Sequence, residues 1–352
     1  MAKKLGIGMI GLGEIAWKAT GKAIEACTDA QMICGVDPVA HVAKSYQERY
    51  EIPCSTNLDD VLKNPDVEAV IISTPHYLHV PLGILAAKAG KHVMVEKPLA
   101  TSLEDADALI AACKEAGVLC SNCLVSRYNP DAMKAKELIE KGAIGEVMAL
   151  KFFGLSNKAP SYWTGGYTER VYTTWRKSKV ESGGGILIMN FVHDVDRMRY
   201  ITGLEATRVY AEYDTFNTDT EVEDFITVTM RYNNGALGNL LAASCVPGAN
   251  RIGIRGESVA GNAIYGTKGQ IVFDKSLLVY TENEIEGLNK GDWTEFKMGG
   301  GEQRTLYVDR FAQAVRNGGR PDIPAEEGRK TLEVLLAAYK SGETHQVVNL
   351  PM

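Results

Sequence analysis

Short apolar runs alternate with longer amphipathic stretches through the first third of the chain. Residues 5–10, 31–36, 67–73, 92–95 and 118–124 are compact apolar segments, several rich in β-branched residues, and read as strands. Between them, helical spacing predicts helices over about 14–27, 39–50, 79–89 and 102–116, the last with Ser102 as an N-cap ahead of Asp105. Strand–helix–strand units of this length imply a parallel, doubly wound sheet and an α/β fold class. Beyond residue 125 the pattern changes. Longer β-rich or alternating runs appear at 147–155, 206–214, 224–232, 235–243 and 270–273, and Asn233-Asn234-Gly235 is a hairpin signal between two of them. Residues 305–317 and 325–339 read as helices. At 352 residues, two domains are expected.

The first strand runs into Gly11-Leu12-Gly13-Glu14-Ile15-Ala16, a G-x-G-x-x-A turn at the start of a helix. In that context Gly11 makes the tight turn, and Gly13 lets backbone approach a pyrophosphate. The small third residue, Ala16, packs helix on strand, while Glu14 and Ile15 bring helix N-terminal N–H groups to the phosphates. The same pattern matches one register earlier, at Gly6-x-Gly8-x-x-Gly11, but inside the strand, where no turn can form. Asp37 ends the second strand and suits the adenosine ribose hydroxyls; no Arg or Lys follows before Lys44, which favours NAD over NADP. Ligands in open α/β sheets bind beyond the carboxyl ends of the strands. Ser73-Thr74-Pro75 with His79, and Glu96-Lys97-Pro98, stand at two such ends. An amine held there is usable in proton transfer.

The net charge of −6 and the absence of a basic block argue against a nucleic-acid partner, and no apolar run is long enough to span a bilayer. The start Met1-Ala2-Lys3-Lys4 is not followed by a cleavable apolar segment, and seven scattered cysteines suggest reduced thiols, so a cytoplasmic protein is expected. Cys120-x-x-Cys123 falls in a strand-like run with no second pair. Packed thiols are expected there, and no metal.

With the fingerprint, Thr74-Pro75, and Gly90-Lys91-His92-Val93 leading into Glu96-Lys97-Pro98, the chain resembles the Gfo/Idh/MocA oxidoreductases. The likeness continues through Arg127-Tyr128-x-Pro130, Trp175-Arg176, Gly183-Gly184-Gly185 and His193-x-x-Asp196. It implies a Rossmann domain over 1–124 and a substrate-binding and oligomerisation domain over 125–352. The second domain would carry a large, mostly antiparallel sheet, and its C-terminal helices could pack back on the first. It further implies hydride transfer to NAD from a secondary hydroxyl of a sugar, cyclitol or sugar derivative. In that reading Lys97 orients the hydroxyl, His193 is the general base, and Trp175 and Arg176 reach the cofactor.

The expected substrate-facing residues are Arg127, Tyr128, Tyr162, Asn190 and Asp194. Tyr162 stands in an aromatic run with Trp163, Tyr167 and Tyr172 that could line a sugar site or form a packed loop. Asp196 is expected to hold its helix. One departure is plain: where many relatives carry an aspartate one turn before the histidine, this chain has Met189. That leaves open a redox-neutral, NAD-dependent glycoside cleavage and, further off, a non-enzymatic NAD-dependent regulator. A homodimer or homotetramer is expected, since an open sheet must shield its face or edges.

Overall fold

The computed structural model describes residues 3–249 and 261–352; Met1 and Ala2 of the basic start lie outside the described residues. The chain divides into two compact units. The first comprises Met1–Val125, Ala159–Gly183 and Glu302–Leu332, and the second Ser126–Lys158, Gly184–Gly301 and Glu333–Met352.

Six parallel strands form the sheet of the first unit: β1 (Leu5–Ile10), β2 (Ala30–Val36), β3 (Cys54–Ser55), β4 (Ala69–Ile72), β5 (His92–Val95) and β6 (Cys120–Asn122). Their order, β3-β2-β1-β4-β5-β6, reverses direction on either side of β1, the arrangement that opens a binding crevice beyond the strand ends. All six residues of β1 are buried because the sheet is covered on both faces. Each fully buried large side chain, such as Ile7 or Met9, contributes roughly 1.5–3 kcal/mol of apolar burial. The Ser102 hydroxyl accepts from the Asp105 amide at 3.1 Å and caps the helix Leu103–Glu115. The first helix differs from expectation: residues 16–20 form a wider π-helical turn before the regular segment Gly21–Glu25.

The linear boundary at 124/125 assigns residues 159–183 and 302–332 to the second part, whereas both belong to the first unit. Hydrogen bonds explain the grouping. Asp309 on the helix Gln303–Asn317 accepts from the Asp29 amide at 2.9 Å, and Arg316 pairs with Glu68 at 2.7 Å. Tyr307 donates to Ser121 at 2.9 Å, and Ser121 donates to the Ile323 carbonyl at 2.6 Å.

A nine-stranded sheet dominates the second unit: β7 (Val147–Leu155), β8 (Ala206–Asp214), β9 (Phe225–Tyr232), β10 (Leu237–Ala243), β11 (Asn262–Gly266), β12 (Gly269–Phe273), β13 (Leu277–Thr281), β14 (Asp292–Phe296) and β15 (Val348–Asn349). The order is β14-β13-β12-β11-β7-β10-β9-β8-β15, antiparallel throughout except for the β7–β10 pair. Asn233-Asn234-Gly235 makes the β9–β10 hairpin, with Gly235 at φ 86°. The helices Pro130–Glu140 and Val192–Thr202 pack on this unit's core, which includes Leu138, Ile201, Ile264 and Ile271.

Candidate functional site

In the first unit the sheet ends assemble a cradle suited to a dinucleotide. Gly11 has φ 86°, and a Cβ there would lie 2.7 Å from the Ser73 carbonyl oxygen, so only glycine closes the turn against β4. A Cβ on Gly13 would meet nothing within 4 Å, leaving its backbone open to a ligand. The Asp37 carboxylate steadies the turn by accepting from the Leu12 amide at 2.9 Å and the Val39 amide at 3.0 Å. Each oxygen keeps a lone pair for a ribose hydroxyl. The Ser73 and Thr74 hydroxyls are buried and have no partner among the described residues. Buried hydroxyls ordinarily find a partner, and two adjacent orphans at a strand end fit a bound polar group. The residues present therefore fit a dinucleotide.

The segment 159–183 is fastened across this turn. The Glu14 carboxylate accepts from the Thr168 amide at 3.0 Å, the Tyr167 amide at 3.2 Å and the Thr168 hydroxyl, and pairs with Lys18. Arg170 donates to the Leu12 carbonyl at 2.9 Å, to Ser45 at 2.8 Å and to the Val42 carbonyl at 3.1 Å. Its guanidinium lies over the Trp17 ring at 3.9 Å. Along the sequence the first Lys or Arg after Asp37 is Lys44, but the fold brings Arg170 into its electrostatic neighbourhood from far along the chain.

Several residues expected at the cofactor have structural work instead. His79 is fully buried, with Nδ1 2.7 Å from the Pro98 carbonyl and Nε2 3.1 Å from the Thr74 carbonyl, so no ring nitrogen remains for a cofactor. Burial holds its ring toward the neutral form, in which one nitrogen donates to its carbonyl and the other only faces one. The Glu96 carboxylate is paired with the buried Arg304, so its side chain fixes the β5 end rather than meeting a ligand. Lys97 follows at that end, half-buried, before a cis peptide to Pro98. His76 donates from Nδ1 to the Ser182 carbonyl at 2.7 Å and meets the Trp175 ring edge-on at 4.5 Å. Arg176 stacks on Trp175 and Tyr162 at 4.6 and 5.0 Å and donates to the Tyr162 carbonyl at 3.2 Å. Tyr162 thus lies in the first unit as a packing partner of Arg176.

The second unit holds a cavity of about 320 Å³, with Asn190, His193, Asp194 and Arg197 along one wall. Those four positions recur at intervals of three and four, one face of a helix. A π-helical turn over Leu187–Phe191 precedes the regular helix Val192–Thr202. Asn190, three residues before His193, lines the cavity with it, while Met189 is buried in the core. The missing aspartate at 189 therefore leaves no gap in the wall: an amide one residue on fills it. Burial pushes the Asp194 carboxyl up to about 6.

Behind the wall, Gly185 passes so close to Glu223 that a Cβ would lie 1.9 Å from its carbonyl oxygen. The Glu223 carboxylate accepts from the Gly185 and Leu187 amides at 2.6 and 2.9 Å and from the Tyr339 hydroxyl at 2.8 Å. This clamp explains the triglycine. Arg127, expected at the substrate, is instead buried and donates to both oxygens of Asp196 at 2.8 and 2.6 Å. Asp196 is fully buried and holds its helix through this pair. Tyr128 lies in the short helical turn Val125–Tyr128 and is not among the cavity residues.

Sequence reading missed Lys158 and Arg197 in the cavity, and Arg170 and Arg304 in the first unit. Arg197, four residues after His193, carried a helical-face signal; the others become neighbours only through the fold.

No helix among the described residues is long and apolar enough to cross a membrane. Residues 5–123 match the family model of an oxidoreductase family with an NAD-binding Rossmann fold, and residues 132–272 match the GFO/IDH/MocA C-terminal domain. The chain is 28% identical to scyllo-inositol 2-dehydrogenase (NAD(+)) of Bacillus subtilis strain 168, across 97% of this chain and 95% of that one. Among solved structures it resembles aldose-aldose oxidoreductase from Caulobacter crescentus complexed with glycerol, with a TM-score of 0.83, 27% identity and coverage of 99% and 100%. A second is the WlbA dehydrogenase from Bordetella pertussis in complex with NADH and UDP-GlcNAcA, at a TM-score of 0.81, 25% identity and coverage of 99% and 100%. With both family models matched in order on the two sheets described above, the chain belongs to the GFO/IDH/MocA family of oxidoreductases and carries its NAD(P)-binding Rossmann domain.

Proposed function

We propose that this protein is an NAD-dependent dehydrogenase that oxidises a secondary hydroxyl of a sugar, cyclitol or sugar derivative. The observation that carries this reading is the cavity His193 shares with Asn190 and Asp194. Imidazole, amide and carboxyl groups on one helix face suit a polyhydroxylated molecule, and only the imidazole has an ordinary pKa near neutrality. When bound, NAD supplies the hydride acceptor. His193 takes the hydroxyl proton, and Asn190 holds a neighbouring hydroxyl. Lys97 donates to the substrate oxygen and stabilises its developing negative charge. Gly11, Gly13 and the N–H groups of Glu14 and Ile15 hold the pyrophosphate, Ser73 and Thr74 offer their hydroxyls, and Trp175 with Arg176 lies toward the nicotinamide end. Asp37 selects the ribose diol over a 2′-phosphate, whose charge its carboxylate would repel.

The relative named scyllo-inositol 2-dehydrogenase (NAD(+)) supports both the cofactor and the polyol class. Purified protein incubated with NAD⁺ and a panel of sugars, cyclitols and sugar acids is expected to form NADH with at least one. No NADH with any of them, in protein shown to bind NAD⁺, contradicts the reading.

A second reading keeps the cofactor bound between two half-reactions on different sugars. It is favoured by the segment fastened over the fingerprint turn by Glu14 and Arg170. Substrate-dependent reduction that a second sugar reverses, without free NADH, distinguishes it.

The same reading includes a homodimer or homotetramer. Tyr210, Leu237 and Trp293 lie on one face of the nine-stranded sheet by strand register, and each is more than a third exposed. Apolar groups spread over an open sheet face support association. A monomer by light scattering contradicts this part.

A further inference from the structure

The cavity that holds the hydroxyl-binding groups also carries two cationic side chains, Lys158 and Arg197. Lys158 follows β7, and its backbone is fixed because its amide donates to the Ser244 carbonyl at 2.8 Å. Its ammonium lines the cavity, and burial holds its pKa below the ordinary lysine value. Arg197 projects into the same space from the His193 helix. Its Nη2 donates to Asp131 at 2.6 Å, and its guanidinium lies 4.5 Å from the Phe273 ring centroid. Those two contacts fix the plane, yet Nε is buried without a partner among the described residues. Ser126 adds a hydroxyl to the lining, while the Ser156 hydroxyl is spent on the Ala243 carbonyl at 3.0 Å.

A guanidinium fixed in orientation with an unused buried N–H, beside an ammonium, is an arrangement for an anionic oxygen group. We propose that the substrate is a carboxylated sugar or polyol, an aldonic or uronic acid, whose carboxylate is held by Lys158 and Arg197. This rests on the dehydrogenase reading and names its substrate class. A carboxylate fits better than a phosphate. Asp194 lines the same cavity and Asp131 already takes part of the Arg197 charge, so a second negative charge on the ligand is opposed. The volume, about 320 Å³, is at the small end of ligand cavities and suits a single sugar unit.

The test is equilibrium binding to the intact chain with NAD⁺ present. D-glucuronate, D-galacturonate and D-gluconate are compared with glucose, galactose and glucitol, and glucose 6-phosphate serves as the phosphate arm. At least one acid is expected to bind about tenfold or more tightly than its neutral counterpart, the size of a charge-assisted contact. Lys158→Met should abolish most of that preference, and Lys158→Arg should retain it. The proposal is overturned if no acid binds, if neutral sugars bind as tightly as their acids, or if glucose 6-phosphate binds best. It is overturned equally if Lys158→Met weakens acid and neutral ligands alike. An acid that binds with the expected preference but yields no NADH sinks the dehydrogenase reading and leaves the anion site standing.

Discussion

Arg127 and Asp196 form a two-point ion pair, Nε and Nη2 against both carboxylate oxygens at 2.8 and 2.6 Å, with Asp196 wholly buried. The pair anchors the helix that carries His193 from the side away from the cavity. Removing one partner strands a buried charge, so Arg127→Ala is expected to destabilise the protein by about 3–5 kcal/mol. Denaturant unfolding measures this. A change below about 1 kcal/mol would show that the pair carries little of the packing.

Met189 and Asn190 make opposite predictions although they are adjacent. Asn190 lines the cavity, so Asn190→Ala should raise KM roughly tenfold with little change in melting temperature, one lost hydrogen bond in a buried site. Met189→Asp restores the residue many relatives carry, but here it buries an unpaired carboxylate. It should lower stability by several kcal/mol and raise no activity. An active, stable Met189→Asp variant would mean that position 189 faces substrate.

Asp194 makes stability depend on pH. Its folded pKa, about 6, stands above the ordinary value of 3.8, because burial penalises the charged form. The folded state therefore binds this proton more tightly than the unfolded chain. The stabilisation is complete below the unfolded value and is lost as pH rises through about 6. Between pH 4 and pH 7 that loss is roughly 3 kcal/mol. Against wild type, Asp194→Asn should flatten the stability profile in that window. Parallel profiles for the two proteins contradict the assignment.

Arg170 predicts a kinetic effect on cofactor exchange. Its three donated bonds and its place over Trp17 fasten residues 159–183 to the fingerprint turn. Arg170→Ala should increase the NAD⁺ dissociation rate about tenfold, measured by stopped-flow fluorescence, since affinity changes appear mostly in the off-rate. An unchanged rate would show that the segment does not gate the cradle.

Legibility in the sequence followed the range of the interactions. The strand–turn–helix at Gly11 to Ala16 and the Asn233-Asn234-Gly235 hairpin are set by neighbours within a few residues, and both were readable. The short strands Asn262–Gly266, Leu277–Thr281 and Asp292–Phe296 gain their identity from the sheet around them and were not predicted. Histidine 79 and Glu96 looked functional because both stand at strand ends. Their partners, the Pro98 carbonyl and Arg304, show that a strand end also needs polar side chains to hold it together. Met189 and Asn190 stand four and three residues before His193, so helical counting allows either on its face, and only the packing decides that Asn190 meets the cavity and Met189 the core. Lys158 carried no local signal at all.

The most direct test follows a deuterium label. A substrate found in the panel is deuterated at the oxidised carbon and turned over with NAD⁺ by wild type, Lys97→Ala and His193→Ala, with NAD⁺ affinity measured for each. The account predicts deuterium on the reduced nicotinamide and a primary isotope effect in wild type. In each variant kcat/KM should fall about 10²–10⁴-fold while NAD⁺ affinity stays within a few-fold. Turnover that survives both substitutions, or product formed without label on the cofactor, would contradict it.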